Sequence, residues 1–447
     1  MNRSTSPVLT DLYELTMAQA YFEEGLNDSA VFSLFVRRLP SRRNYLLACG
    51  LDDVLAFLES LQFDNDALDY LRSLKYFSES FLAYLRQLRF TGDVYALAEG
   101  TPVFANEPIL EVVGPLIETQ LVESFLMNQV NVQTTLASKA ARIVEAAQGR
   151  EIVDFALRRM HGTDAAMKGA RAFYIAGVDA TSNVAAGQAY GLRVSGTMAH
   201  SYIQAHDDEL SAFRAFARRY PGTVLLVDTY DTLEGIRHVI QLAKERGAAF
   251  DVHAVRLDSG DLRALSVEAR RMLDDAGLQP VRIFASGGLD EDSIAALIAA
   301  GAPIDGFGVG TDMGVSADAP TLDIAYKLVE YAGRPRIKLS PGKLLLPGRK
   351  QVFRVERDGV ADHDLLARHD EAPVGRPLLH LVMSRGARVP AGHVSLDQSR
   401  RHARNELSGL PAPIRAISPA DPPYRVDVSE ELRQDFEGAV HRSEVRG

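Results

Sequence analysis

The 447-residue chain contains one cysteine, Cys49. A single thiol excludes an intramolecular disulfide framework and any metal site built from thiolates alone, and it fits a reducing cytoplasm. No apolar run reaches the roughly 18 residues of a membrane span. The opening stretch MNRSTSPVLTDLYEL lacks the apolar h-region of a signal peptide. Cations are the minority charge: 49 Lys and Arg against 59 Asp and Glu leave a net charge of −10. A surface of that sign does not coat nucleic acid, although a local cluster of cations still attracts an anion. HExxH, paired CxxC and Walker A patterns are all missing. The expectation is a cytoplasmic protein with neither a membrane nor a nucleic-acid partner.

What is present is a change of rhythm. Up to about residue 150 the pattern is mixed. A helix capped by Thr10 or Asp11 runs to Gly25, and AVFSLFVRRLP alternates as a strand. Helical patterns follow near 51–61 and 78–88, a β-like stretch spans 89–113, and a long helical pattern, one helix or two, spans 115–149. From Glu151 short apolar runs recur: EIVDF, RAFYIAG, LRVSGTMA, TVLLVDTY, VHAVRLDS, VRIFAS and IDGFGVG. The runs starting at Val194, Thr223, Val252 and Val281 are spaced by 29 residues, with amphipathic helical patterns between the later ones. Strand–helix units at that spacing imply right-handed crossovers and a parallel sheet, and seven runs favour a barrel. After Tyr331 the helices thin out; RPRIKLS, KQVFRVERDG and RPLLHLVMSRG read as strands. The tail from Gly386 is expected to wrap the surface, with a last helix near 429–439.

In a parallel barrel the chemistry gathers at the C-terminal ends of the strands. There the chain places Asp154, Arg158 and Arg159; Asp179, Thr181, Ser182 and Asn183; His200 and Ser201; Asp228, Thr229 and Asp231; and Arg256, Asp258, Ser259 and Asp261. The last two ends carry Ser286-Gly287-Gly288 and Gly308-Val309-Gly310-Thr311. Glycines and a helix N-terminus let backbone N–H groups approach a phosphate; the bland alternative is that these glycines only make tight turns. His200 at a strand end is a functional candidate rather than a core histidine, and with His206 six residues on it has no helical metal spacing. Asp228 and Asp258 either hold Mg²⁺ or pair with arginines. These residues describe a barrel enzyme acting on a phosphorylated, sugar-like anion.

TDLYELTMAQAYF (10–22), DFALRRMHG (154–162), GVDATSNVAAG (177–187), GTMAHSY (196–202), LLVDTYDT (225–232), VRLDSGDL (255–262), FASGGLDE (284–291), GVGTD (308–312) and LPGRKQVFR (346–354) follow one another in order. Together, from about residue 8 to about 430, they resemble the nicotinate phosphoribosyltransferase family. Ala156 stands where that pattern has Gly, and Met160-His161 replaces a small or amide pair. The resemblance implies an irregular (β/α) barrel with fewer than eight complete strands, plus a second α+β domain built from N-terminal and later segments. The corresponding domains are 1–115 with 335–395 (composite α+β), 116–334 (barrel) and 396–447 (C-terminal extension).

It also implies a reaction: nicotinate and 5-phosphoribosyl 1-pyrophosphate give nicotinate mononucleotide and pyrophosphate for NAD synthesis, coupled to ATP hydrolysis and requiring Mg²⁺. By resemblance His200 is the residue phosphorylated by ATP, with Asp258 and Arg256 beside it in catalysis. Tyr13, supplied by the second subunit of a homodimer, and Phe155 stack on the two faces of the pyridine ring. Arg158 and Arg256 clamp the substrate. Thr181, Ser182, Asp228 and Ser259 contact it, and Ser286, Gly287, Gly288, Gly308, Gly310 and Thr311 cradle the 5-phosphate. Ser182 stands where the related nicotinamide enzyme carries an acid, which argues for nicotinate. The rival readings are nicotinamide phosphoribosyltransferase, quinolinate phosphoribosyltransferase, a sugar-phosphate aldolase or isomerase, and a non-enzymatic phosphosugar sensor.

Overall fold

The computed structural model describes residues 6–339 and 345–444. The end of the expected RPRIKLS strand, Ser340, and the first five residues of the opening stretch lie outside them. The chain divides into two compact units, 1–138 with 321–447, and 139–320.

The second unit holds a curled, six-stranded parallel sheet. Its strands are β1 (Glu151–Asp154), β2 (Ala180–Thr181), β3 (Thr223–Leu226), β4 (Val252–Leu257), β5 (Arg282–Ser286) and β6 (Gly306–Val309), paired in the order β2-β1-β6-β5-β4-β3. Among the described residues no pairing joins β3 to β2, so the barrel is a half-barrel. Its crossovers are closed by aspartates. Asp231, Asp261 and Asp290 accept from the backbone N–H of Glu234, Ala264 and Ser293, at 2.8, 3.0 and 2.8 Å, opening the helices Thr232–Arg246, Leu262–Asp275 and Glu291–Ala299. Each such cap is worth about 1 kcal/mol. The helices bury Ile236, Val239 and Leu242, then Ala269 and Leu273, then Ile294. At Gly235 a Cβ would lie 2.1 Å from the Val227 carbonyl oxygen, so only glycine lets that helix sit against the end of β3.

Two expected strands differ. RAFYIAG is the last turns of a helix, Thr163–Ala176, stopped by Gly177 in the left-handed conformation (φ 115°). Its residues Ala170, Arg171, Ala172 and Phe173 are buried in succession, without the alternation of a strand. LRVSGTMA makes a single bridge, Val194 to Thr181. Beyond it Gly196 and Ala199 are exposed, and the segment runs on as an unpaired edge.

The first unit is α+β and draws on both chain ends. A seven-stranded sheet places Ser29–Val36 between Ile324–Tyr331 and Pro108–Pro115, antiparallel to both. A four-stranded sheet is centred on Lys350–Arg357 and Val360–Arg368. The LPGRKQVFR stretch is structural here. Lys350 pairs with Glu111 at 3.1 Å, and Arg354, 2% exposed, grips Asp364 with two bonds of 3.0 and 2.7 Å. The 115–149 pattern resolves into two helices, Leu116–Gln120 and Glu123–Ala147.

The division therefore falls at 138/139 and 320/321 rather than at the expected 115/116 and 334/335. Phe125, Leu126 and Val130 belong to the first unit's core, and Ile324–Tyr331 to its sheet. Nor do residues 396–447 stand apart: Val426–Val428 pairs with Val360–Arg368, and Leu432 is fully buried in the same core. The described tail also contains a helix the apolar pattern does not reveal, Leu396–Ser408, with only Ser399 and Ala403 buried.

Candidate functional site

The expected site residues of the second unit collect at the C-terminal ends of its strands. Three strand ends are laced together. Asp228, just past β3, accepts the Asp258 N–H at 3.0 Å and the Ser259 hydroxyl at 2.5 Å through one oxygen; its other oxygen is buried and has no hydrogen-bond partner among the described residues. Asp258, just past β4, accepts the hydroxyl of Ser286 at the end of β5. His200 opens the short helix His200–Gln204, with Nδ1 3.2 Å from the Thr229 hydroxyl and Nε2 3.7 Å from an Asp258 oxygen. The ring is thus oriented from one side and left 41% exposed on the other.

A cavity of about 550 Å³ lies beside this cluster. Phe155, Arg158, Ser182 and Arg256 line it, together with the edge segment Val194–Ala199. Arg256 donates to the Met198 carbonyl at 3.0 Å and lies 5.8 Å from the centroid of the Phe155 ring, while its Nε is buried with no hydrogen-bond partner among the described residues. Burial pulls the Arg256 guanidinium below its usual range, and Arg158 adds to this; Asp258 and Asp228 oppose it. A buried cation with an open donor, in a cavity with an aromatic wall and a second arginine, suits a planar aromatic anion. The apolar pattern of the edge segment predicts a strand; Gly196 between Ser195 and Thr197 is the signal that it is instead a loop bordering the cavity. Ala156 is fully buried, and its methyl group packs against Gly314, where a Cβ would stand 2.7 Å away.

The phosphate-cradle candidates separate. At Gly308 a Cβ would lie 2.3 Å from the Phe155 ring, and at Gly287 2.0 Å from the Asp258 carbonyl oxygen. Both glycines thus have a packing reason, and Gly308 in particular is a buried strand residue. Gly288 (φ 63°) has open space around it, and Gly310-Thr311 opens the short helix Thr311–Val315. Ser286 is 2% exposed and its hydroxyl is taken by Asp258. Thr181, expected to touch substrate, is also 2% exposed, and its hydroxyl is turned inward to Asp154 at 2.7 Å.

Tyr13 belongs to the first unit. It lies on the helix Leu12–Glu24 and is 44% exposed, its phenol raised by partial burial and by Glu123, Glu14 and Asp11. Among the described residues no group of three or more His, Cys, Asp or Glu side chains is placed to hold a metal. Asp228 and Asp258 do fit Mg²⁺, which takes one or two carboxylates and completes its shell with phosphates and water: one buried oxygen of Asp228 has no hydrogen-bond partner among the described residues, and its other oxygen ties the carboxylate to the Asp258 backbone. A larger cleft of about 820 Å³ opens at the opposite ends of the strands. Its four arginines are already engaged, Arg193 and Arg282 by Glu151, Arg270 by Asp274 and Arg150 by the Ile304 carbonyl.

Family models and curated relatives share the name nicotinate phosphoribosyltransferase, while one solved structure that superposes, with a TM-score of 0.73 at 26% identity over 91% of this chain and 95% of its own, is the nicotinate-nucleotide pyrophosphorylase of Pyrococcus furiosus. Residues 8–131 match the N-terminal domain of nicotinate phosphoribosyltransferase (NAPRTase), and residues 150–343 match the NAPRTase family. The nicotinate phosphoribosyltransferase pncB2 of Mycobacterium tuberculosis is 55% identical over 425 residues, covering 95% of this chain and 92% of its own. That of Bacillus subtilis is 44% identical, covering 81% and 76%. Among solved structures, human nicotinic acid phosphoribosyltransferase superposes with a TM-score of 0.83 at 30% identity, covering 95% of this chain and 98% of its own. No helix among the described residues is long and apolar enough to cross a membrane.

Proposed function

Because the chain belongs to the nicotinate phosphoribosyltransferase family, we propose that it joins nicotinate to 5-phosphoribosyl 1-pyrophosphate. The products are nicotinate mononucleotide, which feeds NAD synthesis, and pyrophosphate. ATP drives the reaction by phosphorylating His200. The observation that carries this reading is the cavity lined by Phe155, Arg158, Ser182 and Arg256, set beside His200, Asp228 and Asp258.

Phe155 offers its ring to one face of the pyridine, and the guanidinium groups of Arg158 and Arg256 offer positive charge to the carboxylate. Ser182 brings no charge to repel it. The pyridine nitrogen attacks the anomeric carbon of the ribose, the carbon–oxygen bond to pyrophosphate breaks, and its electron pair leaves with the pyrophosphate. No protein base is required, so the site works by orientation and fixed charge. The backbone N–H groups at Gly288 and Gly310-Thr311 receive the 5-phosphate. Mg²⁺ held by Asp228 and Asp258 would neutralise charge on the departing pyrophosphate.

The His200 imidazole, oriented by the Thr229 hydroxyl, takes the terminal phosphoryl group of ATP: a nitrogen–phosphorus bond forms as the bond to ADP breaks. The phosphorylated ring then favours the productive complex by differential binding. Tyr13 closes the other face of the pyridine from the second subunit of a cytoplasmic homodimer. The test is pyrophosphate release from 5-phosphoribosyl 1-pyrophosphate with either base. Turnover with nicotinate and little with nicotinamide is expected; preference for nicotinamide would overturn the substrate assignment.

A further inference from the structure

We infer that Asp154 and Thr181 form a buried clasp that fixes the spacing of two neighbouring wall segments of the cavity, one carrying Phe155 and Arg158 and the other Ser182, and that both are positioning residues for nicotinate. The inference rests on the placement of nicotinate in the cavity of Phe155, Arg158 and Ser182. Asp154 ends β1 and Thr181 ends the adjacent β2; each is 2% exposed. One Asp154 oxygen accepts the Ala156 N–H at 2.7 Å, the residue that opens the 3₁₀ turn Leu157–Arg159 carrying Arg158. Its other oxygen accepts the Thr181 hydroxyl at 2.7 Å. That hydroxyl oxygen in turn accepts the Asn183 N–H at 3.0 Å, and the Ser182 N–H donates to the Asp154 carbonyl at 2.8 Å.

Phe155 and Ser182, which follow adjacent paired strands and both line the cavity, are thus each flanked by backbone groups tied, directly or through the Thr181 hydroxyl, to the same carboxylate. Asn183 extends the tie, since its side chain caps the helix Val184–Tyr190 through the Ala186 N–H at 3.1 Å. Neither buried side chain faces the cavity, and the chemistry makes no use of their polar groups. A buried carboxylate is retained only where its oxygens are satisfied, and here every named partner belongs to one of the two walls. Loosening such a clasp moves the walls apart. Since small displacements of positioning groups are felt steeply, the effect falls on nicotinate rather than on the phosphoribosyl substrate.

The experiment is steady-state pyrophosphate release by the full-length protein carrying Thr181→Val, which keeps the shape and removes the hydroxyl, and Thr181→Ser, which restores it. Thr181→Val is expected to raise the KM for nicotinate roughly tenfold or more, the loss of one buried hydrogen bond. The KM for 5-phosphoribosyl 1-pyrophosphate should stay within about twofold, and Thr181→Ser should remain close to the parent. Equal effects on both KM values, or no effect on either, would overturn the clasp. If Thr181→Val does not fold, Thr181→Ser still decides: a nicotinate KM raised by loss of the methyl group alone contradicts a role for the hydroxyl. A parent protein with no nicotinate turnover would instead defeat the functional reading itself, which separates the two failures.

Discussion

Replacing Gly308 with alanine probes the aromatic wall from behind. The new Cβ would stand 2.3 Å from Phe155 Cε2 and 2.6 Å from Cδ2. Carbon atoms rest at about 3.5 Å or more, so the ring must move by about 1 Å. Behind and beside it are Val153, Ala180 and Phe284, all buried, while the other side opens on the cavity. The ring therefore moves into one of the two cavities it borders, and in either case its face leaves the position assigned to stacking on nicotinate. Overpacking costs about 1–3 kcal/mol, and the low end applies because the clash is with the far end of a side chain bordering open space. The kinetic effect should be larger, since a misplacement of about 1 Å near a reacting group is worth up to roughly 100-fold. Thermal unfolding and initial rates of pyrophosphate release, with each substrate varied in turn, measure both. Gly308→Ala should lower the melting temperature modestly and raise the nicotinate KM far more than that of 5-phosphoribosyl 1-pyrophosphate. Adding Phe155→Leu should restore stability without restoring nicotinate affinity, a non-additivity reserved for groups in contact. A folded Gly308→Ala protein with parental stability and parental nicotinate kinetics would refute the reasoning.

Ser182→Asp should weaken nicotinate use by placing a second negative charge against the substrate carboxylate; unchanged nicotinate kinetics would count against the cavity as its binding site. Glu14 supplies a pH effect. Burial lifts its carboxyl to about 7, against hydrogen bonds from Ser124 and Thr10 that pull it down. The native state then keeps a proton that the unfolded chain has released. The stability it contributes is complete below the ordinary value of 4.5 and is lost as pH rises through about 7. Denaturation midpoints of the parent should decline more steeply across this window than those of Glu14→Gln, and parallel curves would contradict the assignment.

The half-barrel was legible where its strands and helices keep separate periods. TVLLV, VHAV, VRIFA and IDGFGV are apolar runs bounded by polar strand ends, the first three followed by amphipathic helices, and β3 to β6 fall on them. The reading failed where composition and period disagree. RAFYIAG is rich in residues that suit strands, but it closes a helix buried on most of its surface, and so it lacks the polar face that marks a helix. Leu396–Ser408 failed the opposite way, since it is polar enough to resemble a loop. Within the site, residue type located the strand ends but not the direction of each side chain. Thr181 and Ser182 are neighbours of similar chemistry, one turned inward to Asp154 and the other lining the cavity. Asp228 and Asp231 likewise read alike, yet one binds across strand ends and the other caps a helix. Glycine carries the same ambiguity: Gly308 makes room for a ring, and Gly288 leaves open space.

The measurement that tests the central claim most directly uses ATP labelled on its terminal phosphate. Incubated with the parent protein, it should leave an acid-labile, base-stable label on the chain, as a phosphoramidate does. The His200→Asn protein should take up none and should lose the stimulation of nicotinate mononucleotide synthesis by ATP. Label retained by His200→Asn, or never acquired by a parent protein that still makes nicotinate mononucleotide with ATP, would contradict the account of His200.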